Sequence, residues 1–409
     1  METSQILLIF FGGLVPMAAV AFALGRRKAL LSDAAGSRMH SLPAQYGVYV
    51  ATWMALPALA IGVVAAGAAL LGVRVPSAPF VLSFALFGAA IGLALALRKV
   101  EPSLRARNAI EKFVYWTLFA ASLVSILTTF GIIISILFEA LKFFSQVSVW
   151  DFVTGTNWSP VATFRPGQEA ANSQFGSVPL FAGTFMITLI AMSVAIPVGL
   201  LAAIYMSEYA SYRVRTLAKP LLEILAGIPT VVYGFFAAIT VSPLVVEVAN
   251  FFGLHASYTN ALAPGLVMGI MIIPFISSLS DDVINSIPNS LREGAYALGA
   301  TKSETIKQII LPAAFPGIMA ASLLGISRAL GETMIVVMAA GLRPNLTWNP
   351  LEDMTTVTVR IVDALTGDQA FDSPETLAAF ALGLVLFVVT LTLNLVSIII
   401  IRKFRQSYE

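Results

Sequence analysis

The chain has 409 residues, of which 58% are hydrophobic and 11% charged, with a mean hydropathy of +0.88. A soluble protein carries about 25% charged residues, so a single-domain soluble enzyme, a fibrous protein and a disordered chain are all disfavoured. The net charge of +2 carries little information and the chain has no cysteine. That removes disulfides, thiolate metal sites and cysteine nucleophiles, and no basic run interleaves with aromatics as a nucleic-acid groove requires.

Taken in chain order, nine apolar stretches are long enough for a helix of ~20 residues to cross a bilayer. They run over 5–24, 47–71, 80–97, 113–138, 178–206, 217–246, 261–280, 313–340 and 377–401. They are continuous rather than alternating, which excludes a membrane β-barrel. The fold class is therefore an all-α integral membrane protein of about nine transmembrane helices. With the C-terminal tail placed inside, eighteen of the 24 Lys and Arg fall in inner segments and five in outer ones, which predicts N-out, C-in. The 24th, Arg328, falls within a span. The first span ends in Ala21-Phe22-Ala23, a small-x-small form, but Arg26-Arg27-Lys28 follows at once, so a retained reverse anchor is expected over a cleaved signal.

Residues 1–97 are Ala/Gly-rich, and Gly88 and Gly92 offer a close-packing face. They read as an accessory region of three helices, joined by a basic linker, 98–112, to a six-helix working part, 113–409. Trp150, Trp158 and Trp348 suit an outer interface belt. Asp281 and Asp282, at the inner end of the seventh span, read most simply as solvated. His40 and His255 lie alone, and no metal site is expected.

The inner connection 286–312 is too polar to enter lipid. Gly299 suits the left-handed residue that ends a helix, and Thr301-x-x-Glu304 is a capping box that starts a second helix, with Pro312 expected to close it. Two short helices with a glycine elbow need a partner groove. Glu293, Ala295 and Gly299, then Ile309, Leu311 and Pro312, form a pattern that resembles the EAA loop of ABC-importer permeases, with Gly294 replacing the first alanine. The resemblance implies that 286–312 is the coupling element seated in a separate ATPase. No Gly-Lys dipeptide, and hence no Walker A pattern, exists in the chain, so ATP–Mg is expected on the partner and no cofactor on this chain.

Arg328 lies sixteen residues past Pro312, or ~24 Å along a helix, and so well inside the bilayer. An intramembrane Arg costs at least ~2.5–3.5 kcal/mol and faces the bundle interior or water. With Glu332 at i+4, it reads either as a neutralising ion pair or as an oxyanion relay, in which Gly331 removes bulk and Thr333 adds a hydroxyl. In the sixth span, Pro229 cannot donate to the Leu225 carbonyl, which predicts a kink. That kink either lets Thr230 and Tyr233 line a path or serves packing alone.

Two stretches, Arg328-Ala-Leu-Gly-Glu-Thr-Met334 and Glu223-Ile-Leu-Ala-Gly-Ile-Pro-Thr-Val-Val-Tyr-Gly234-Phe, resemble phosphate-specific ABC-importer permeases, the C-type subunit more than the A-type. The likeness covers about residues 105–409. It implies a permease in a bacterial inner membrane, a second permease subunit, an ATPase dimer and an extracytoplasmic phosphate-binding protein, with Arg328 and Glu332 in phosphate passage. A sulfate or molybdate permease is the nearest rival. An ion-driven carrier working alone leaves the hairpin unexplained.

Overall fold

The computed structural model describes residues 3–34, 39–70, 72–73, 76–160, 174–366 and 373–404. Arg38, Arg74, Arg165 and Arg405 lie outside them. Two compact units divide at Phe130/Gly131.

The first unit contains α1 (Thr3–Ala34), α2 (Pro43–Leu70), α3 (Ala78–Arg98) and the start of α4 (Ala106–Phe144). Residues 106–112 of the basic stretch are thus the first turns of α4. Small residues let the helices of this unit touch: a Cβ on Gly92 would sit 2.2 Å from the Trp53 carbonyl oxygen, and one on Gly47 would strike the Phe22 ring. The Gly88/Gly92 face is therefore a real α2–α3 contact. Lys28 donates to the Leu97 carbonyl at the end of α3, and the Tyr46 hydroxyl donates to Leu104 at 2.8 Å.

The second unit begins within α4 and continues with α5 (Val149–Thr154) and a two-residue hairpin, β1 (Trp158–Ser159) against β2 (Gln174–Phe175). Trp158 is not an interface residue. It is buried in an edge-to-face cluster with Phe143, Phe152 and Phe175, whereas Trp150 and Trp348 are exposed. Next come α6 (Val178–Ile204), α7 (Tyr212–Gly227), α8 (Thr230–Phe236), α9 (Ser242–Phe251) and α10 (Leu262–Asn285). The chain continues through α11 (Asn289–Ala297), α12 (Lys302–Thr305), α13 (Leu311–Leu330), α14 (Met334–Ala339), α15 (Val357–Thr366) and α16 (Pro374–Phe404).

The core of this unit is α10 packed on α6. Gly265 and Gly269 lie against Ile190, Ala191 and Val194, and Gly199 lies against Ile273 and Ile276. Of the most apolar 18-residue window of α10, 61% is buried, against none of the corresponding windows of α4 and α16, which leaves those stretches for lipid or other chains.

Among the described residues eight helices are long and apolar enough to cross a membrane. The ninth expected stretch, 5–24, falls in α1, whose first nine residues have no described side chains. Two spans differ from their sequence outlines, one of them at both ends. The stretch 217–246 is not one helix: α7 stops at Gly227, Ile228 and Pro229 are extended, and the crossing helix starts at Thr230. The stretch 313–340 stops at Leu330 and resumes at Met334. Pro312 does not close the second hairpin helix. A wide π-turn over Ile306–Ile310 precedes the proline, absorbs its missing N–H, and joins α12 to α13 as one crossing helix, Lys302–Leu330.

Candidate functional site

The end of α13 is where charge and an interrupted backbone meet. Gly325 packs on Ile272 and Ile276 of α10, so Arg328, one turn on, comes over the Phe275 ring with its Cζ 5.7 Å from the centroid. Phe275 lies thirteen residues from Leu262 and ten from Asn285, close to the middle of α10. Arg328, two residues from the end of its own helix, thus lies level with the middle of α10.

Glu332 is not its partner. The helix ends at Leu330, so i+4 spacing no longer places the two on one face. Instead the Glu332 carboxylate turns to the next helix and accepts from Met334 N at 3.1 Å and Ile335 N at 3.4 Å, capping α14. Among the described residues no carboxylate lies within the 4.0 Å ion-pair distance of Arg328. The neutralising pair is therefore absent. Thr333 Oγ1 donates to Gly331 O at 3.4 Å, and the Thr358 hydroxyl donates to Glu332 O at 2.9 Å, which fixes the interruption from α15.

The interruption at Pro229 is closed differently. The Leu225 carbonyl that Pro229 cannot serve accepts from the Tyr233 hydroxyl at 2.9 Å and from Ile228 N at 3.3 Å. Tyr233 is buried and braces the break rather than lining an open path. The short helices that follow the two breaks pack on each other: a Cβ on Gly234 would lie 3.0 Å from Met334 O and 3.1 Å from the Ile335 Cα.

Beneath Arg328 is a cavity of about 230 Å³ between α7, α10 and α13, into which Lys219, Glu223, Ser278 and Asp281 also project. Asp281 is not solvated, as its sequence position suggests, but 1% exposed. Its carboxylate accepts from Arg215 at 3.0 Å and Lys219 at 3.3 Å, while Asp282 takes a second Lys219 contact at 3.3 Å. Partial burial opposes the Lys219 charge, but Asp282 and Asp281 outweigh it and hold the ammonium above the usual lysine range. It is positive at neutral pH.

The hairpin forms as its local signals predict. Gly299 has φ +85°, and Thr301 and Glu304 exchange both capping-box bonds. Arg292, in the first turn of α11, ties it down: it pairs with Glu208 at 3.0 Å and donates to the Ile284 and Ile287 carbonyls at 2.8 and 2.7 Å. Ala295 is buried, and Ile309 and Leu311 are half-buried. Glu293, Gly294, Gly299 and Pro312 are exposed, Leu298 is 92% exposed, and a Cβ on Gly294 would meet nothing in this chain. This surface is open for another protein.

Residues 195–408, just over half the chain, match the family described as binding-protein-dependent transport system inner membrane component. The chain belongs to that family. Residues 13–75 match a second family, described as phosphate ATP-binding cassette transporter. The family member is 34% identical over 273 residues to the probable ABC transporter permease protein YqgH of Bacillus subtilis (strain 168), covering 66% of this chain and 84% of that protein. It is 30% identical over 289 residues to the phosphate transport system permease protein PstC of Mesorhizobium japonicum, with 66% and 84% covered. The PstC of Haemophilus influenzae is 30% identical over 304 residues, with 68% and 91% covered. Among solved structures, a bacterial alginate ABC transporter in complex with a pentasaccharide-bound periplasmic protein matches at 18% identity and a TM-score of 0.49, over 71% of this chain and 96% of that one.

The sequence reading of this multi-pass membrane protein missed two sets of residues. Arg215 and Lys219 meet Asp281 only through the fold, although an acidic pair at one span end and basic residues at another was a usable signal. The run Met354-Thr355-Thr356-Val357-Thr358 is buried beside the α13 interruption, with Val357 N donating to Thr184 Oγ1 at 3.1 Å. Its density of hydroxyls in an apolar setting was legible.

Proposed function

We propose that this chain is a transmembrane permease subunit of an ATP-driven importer of inorganic phosphate. A second permease subunit, an ATPase dimer that binds ATP–Mg, and an extracytoplasmic phosphate-binding protein complete the machine. The observation that carries the reading is Arg328: a guanidinium level with the middle of α10, without a carboxylate partner among the described residues, above a cavity. A planar N–H fork in low dielectric suits a phosphate oxyanion. The likeness to two phosphate permeases at 30% identity supports the choice of anion.

In the working cycle the ATPase dimer closes on ATP and the exposed face of α11 carries that motion to the spans. The path around Arg328 then opens outward, and hydrolysis resets it inward. Glu332 and Thr333 hold the α13 interruption around Arg328, Gly331 keeps it free of bulk, and the braced break at Pro229 positions α7 below it. The region 1–97 is accessory to the six-span part, and the hairpin faces the cytoplasm.

Phosphate uptake into vesicles reconstituted with the whole importer tests this reading. Uptake is expected only with the ATPase and ATP present; equal uptake without them sinks the reading. Gly299→Val places a β-branched residue at φ +85°, costs about 1–2 kcal/mol locally, and is expected to leave ATP hydrolysis running with little transport. Normal coupling in that variant removes the hairpin from the mechanism.

A further inference from the structure

The charges lining the cavity below Arg328 balance: Lys219 and Arg328 face Glu223 and Asp281, and Arg215 and Asp282 beside it add one charge of each sign. A balanced cavity does not hold an anion. What unbalances it is the position of one carboxylate. Asp281 Oδ1 accepts from Arg215 Nη2 at 3.2 Å and Asn285 Nδ2 at 2.9 Å; Oδ2 accepts from Arg215 Nη2 at 3.0 Å and Lys219 Nζ at 3.3 Å. Every oxygen site facing α7 is thus filled by a cation, in the manner in which a phosphate oxygen would fill it.

Two further observations say that the arrangement can open. No residue of α7 is fully buried, so these ion pairs make up a large part of its hold on α10. Lys219 is already shared between Asp281 and Asp282, and its ammonium on a flexible stem exchanges partners without reorienting a planar group. The station is also within reach of the first one. Phe275, under Arg328, is six residues from Asp281, about 9 Å along α10.

We propose that Asp281 is a displaceable internal anion, and that Arg215 and Lys219 form a second oxyanion site on the inner side of Arg328. Phosphate leaving Arg328 takes the place of the Asp281 carboxylate on these two cations. In doing so it frees α7 from α10 and opens the exit. Competition between substrate and carboxylate keeps occupancy brief, which passage through a multi-site path requires. The proposal rests on the phosphate reading above and adds the exit site.

The test is equilibrium binding of radiolabelled inorganic phosphate to the purified importer of permeases and ATPase in detergent, without ATP or binding protein, each complex verified by size exclusion. Asp281→Asn removes the competing charge and is expected to tighten phosphate binding about tenfold. Adding Lys219→Gln to Asp281→Asn is expected to cancel that gain, and Lys219→Gln alone to weaken binding. Unchanged affinity in Asp281→Asn overturns the proposal, and so does a gain that survives loss of Lys219. If Asp281→Asn fails to assemble, Lys219→Gln decides alone, with unchanged affinity as the overturning result. A wild-type importer without ATP-driven phosphate uptake sinks the functional reading instead, so the two failures are distinguishable.

Discussion

Two interrupted helices sit side by side in the second unit, and they differ in how their freed backbone groups are satisfied. At Ile228 and Pro229 a side chain from within the same stretch, Tyr233, returns to the orphaned Leu225 carbonyl, and the break is sealed. At Gly331 the bonds come from the next segments: Glu332 caps α14 and Thr358 reaches across from α15. The first break shapes the chain. The second leaves a cation level with the middle of α10, facing a cavity. Glycine or proline in a membrane helix therefore does not by itself mark a path; what matters is whether a charge is left unpaired once the backbone is satisfied.

Substitutions that separate the two breaks rank as follows. Arg328→Gln is expected to lower phosphate uptake about 100-fold or more, as loss of an oxyanion donor does, while the importer still assembles on size exclusion. Uptake near the wild-type rate would return Arg328 to a packing role. Gly234→Val forces α8 and α14 apart against backbone atoms, so a cost of ~1–3 kcal/mol is expected in thermal unfolding, with transport falling alongside. An unchanged melting temperature would show that the two breaks do not support each other. Tyr233→Phe removes one of two donors to Leu225 O and is expected to cost about 1 kcal/mol, with uptake reduced far less than in Arg328→Gln. A loss as large as that of Arg328→Gln would mean the sealed break touches the anion after all. Glu332→Gln keeps an acceptor for Met334 N, so its stability cost should fall below the ~0.5–2 kcal/mol of losing the cap outright. Transport as poor as in Arg328→Gln would restore the relay role to the carboxylate.

Features encoded within four residues were legible in the sequence. Gly299 takes the left-handed conformation, and Thr301 with Glu304 closes the capping box, because both depend on local geometry alone. Arg328 was legible for a different reason: a lone cation in an apolar run is unusual wherever it occurs. What failed were inferences that assumed an unbroken α-helical register. Pro312 reads as a stop, but a π-turn shifts the register by one residue and carries the helix through it. Glu332 reads as a partner at i+4, but the helix has already ended, under constraints supplied by Thr358, 26 residues on. Asp281 reads as solvated because its cations arrive from 62 and 66 residues away. The sixth span shows the same limit, since composition marks its apolar length but not that α7 lies outside the crossing helix.

Arg292 carries a consequence for force. Its guanidinium binds Glu208, in the π-turn Tyr205–Tyr209 that follows α6, together with the Ile284 carbonyl at the end of α10 and the Ile287 carbonyl just after it, so the hairpin is joined to both helix ends at a single node. A torque delivered to α11 by another subunit is thus not dissipated in a floppy connection but shared at once by the two most tightly packed helices of the unit. The arm from that node to Phe275 is about 15 Å, ten residues of α10. A small rotation applied at α11 therefore becomes a lateral shift of the α10 wall beside Phe275 and the cavity it lines.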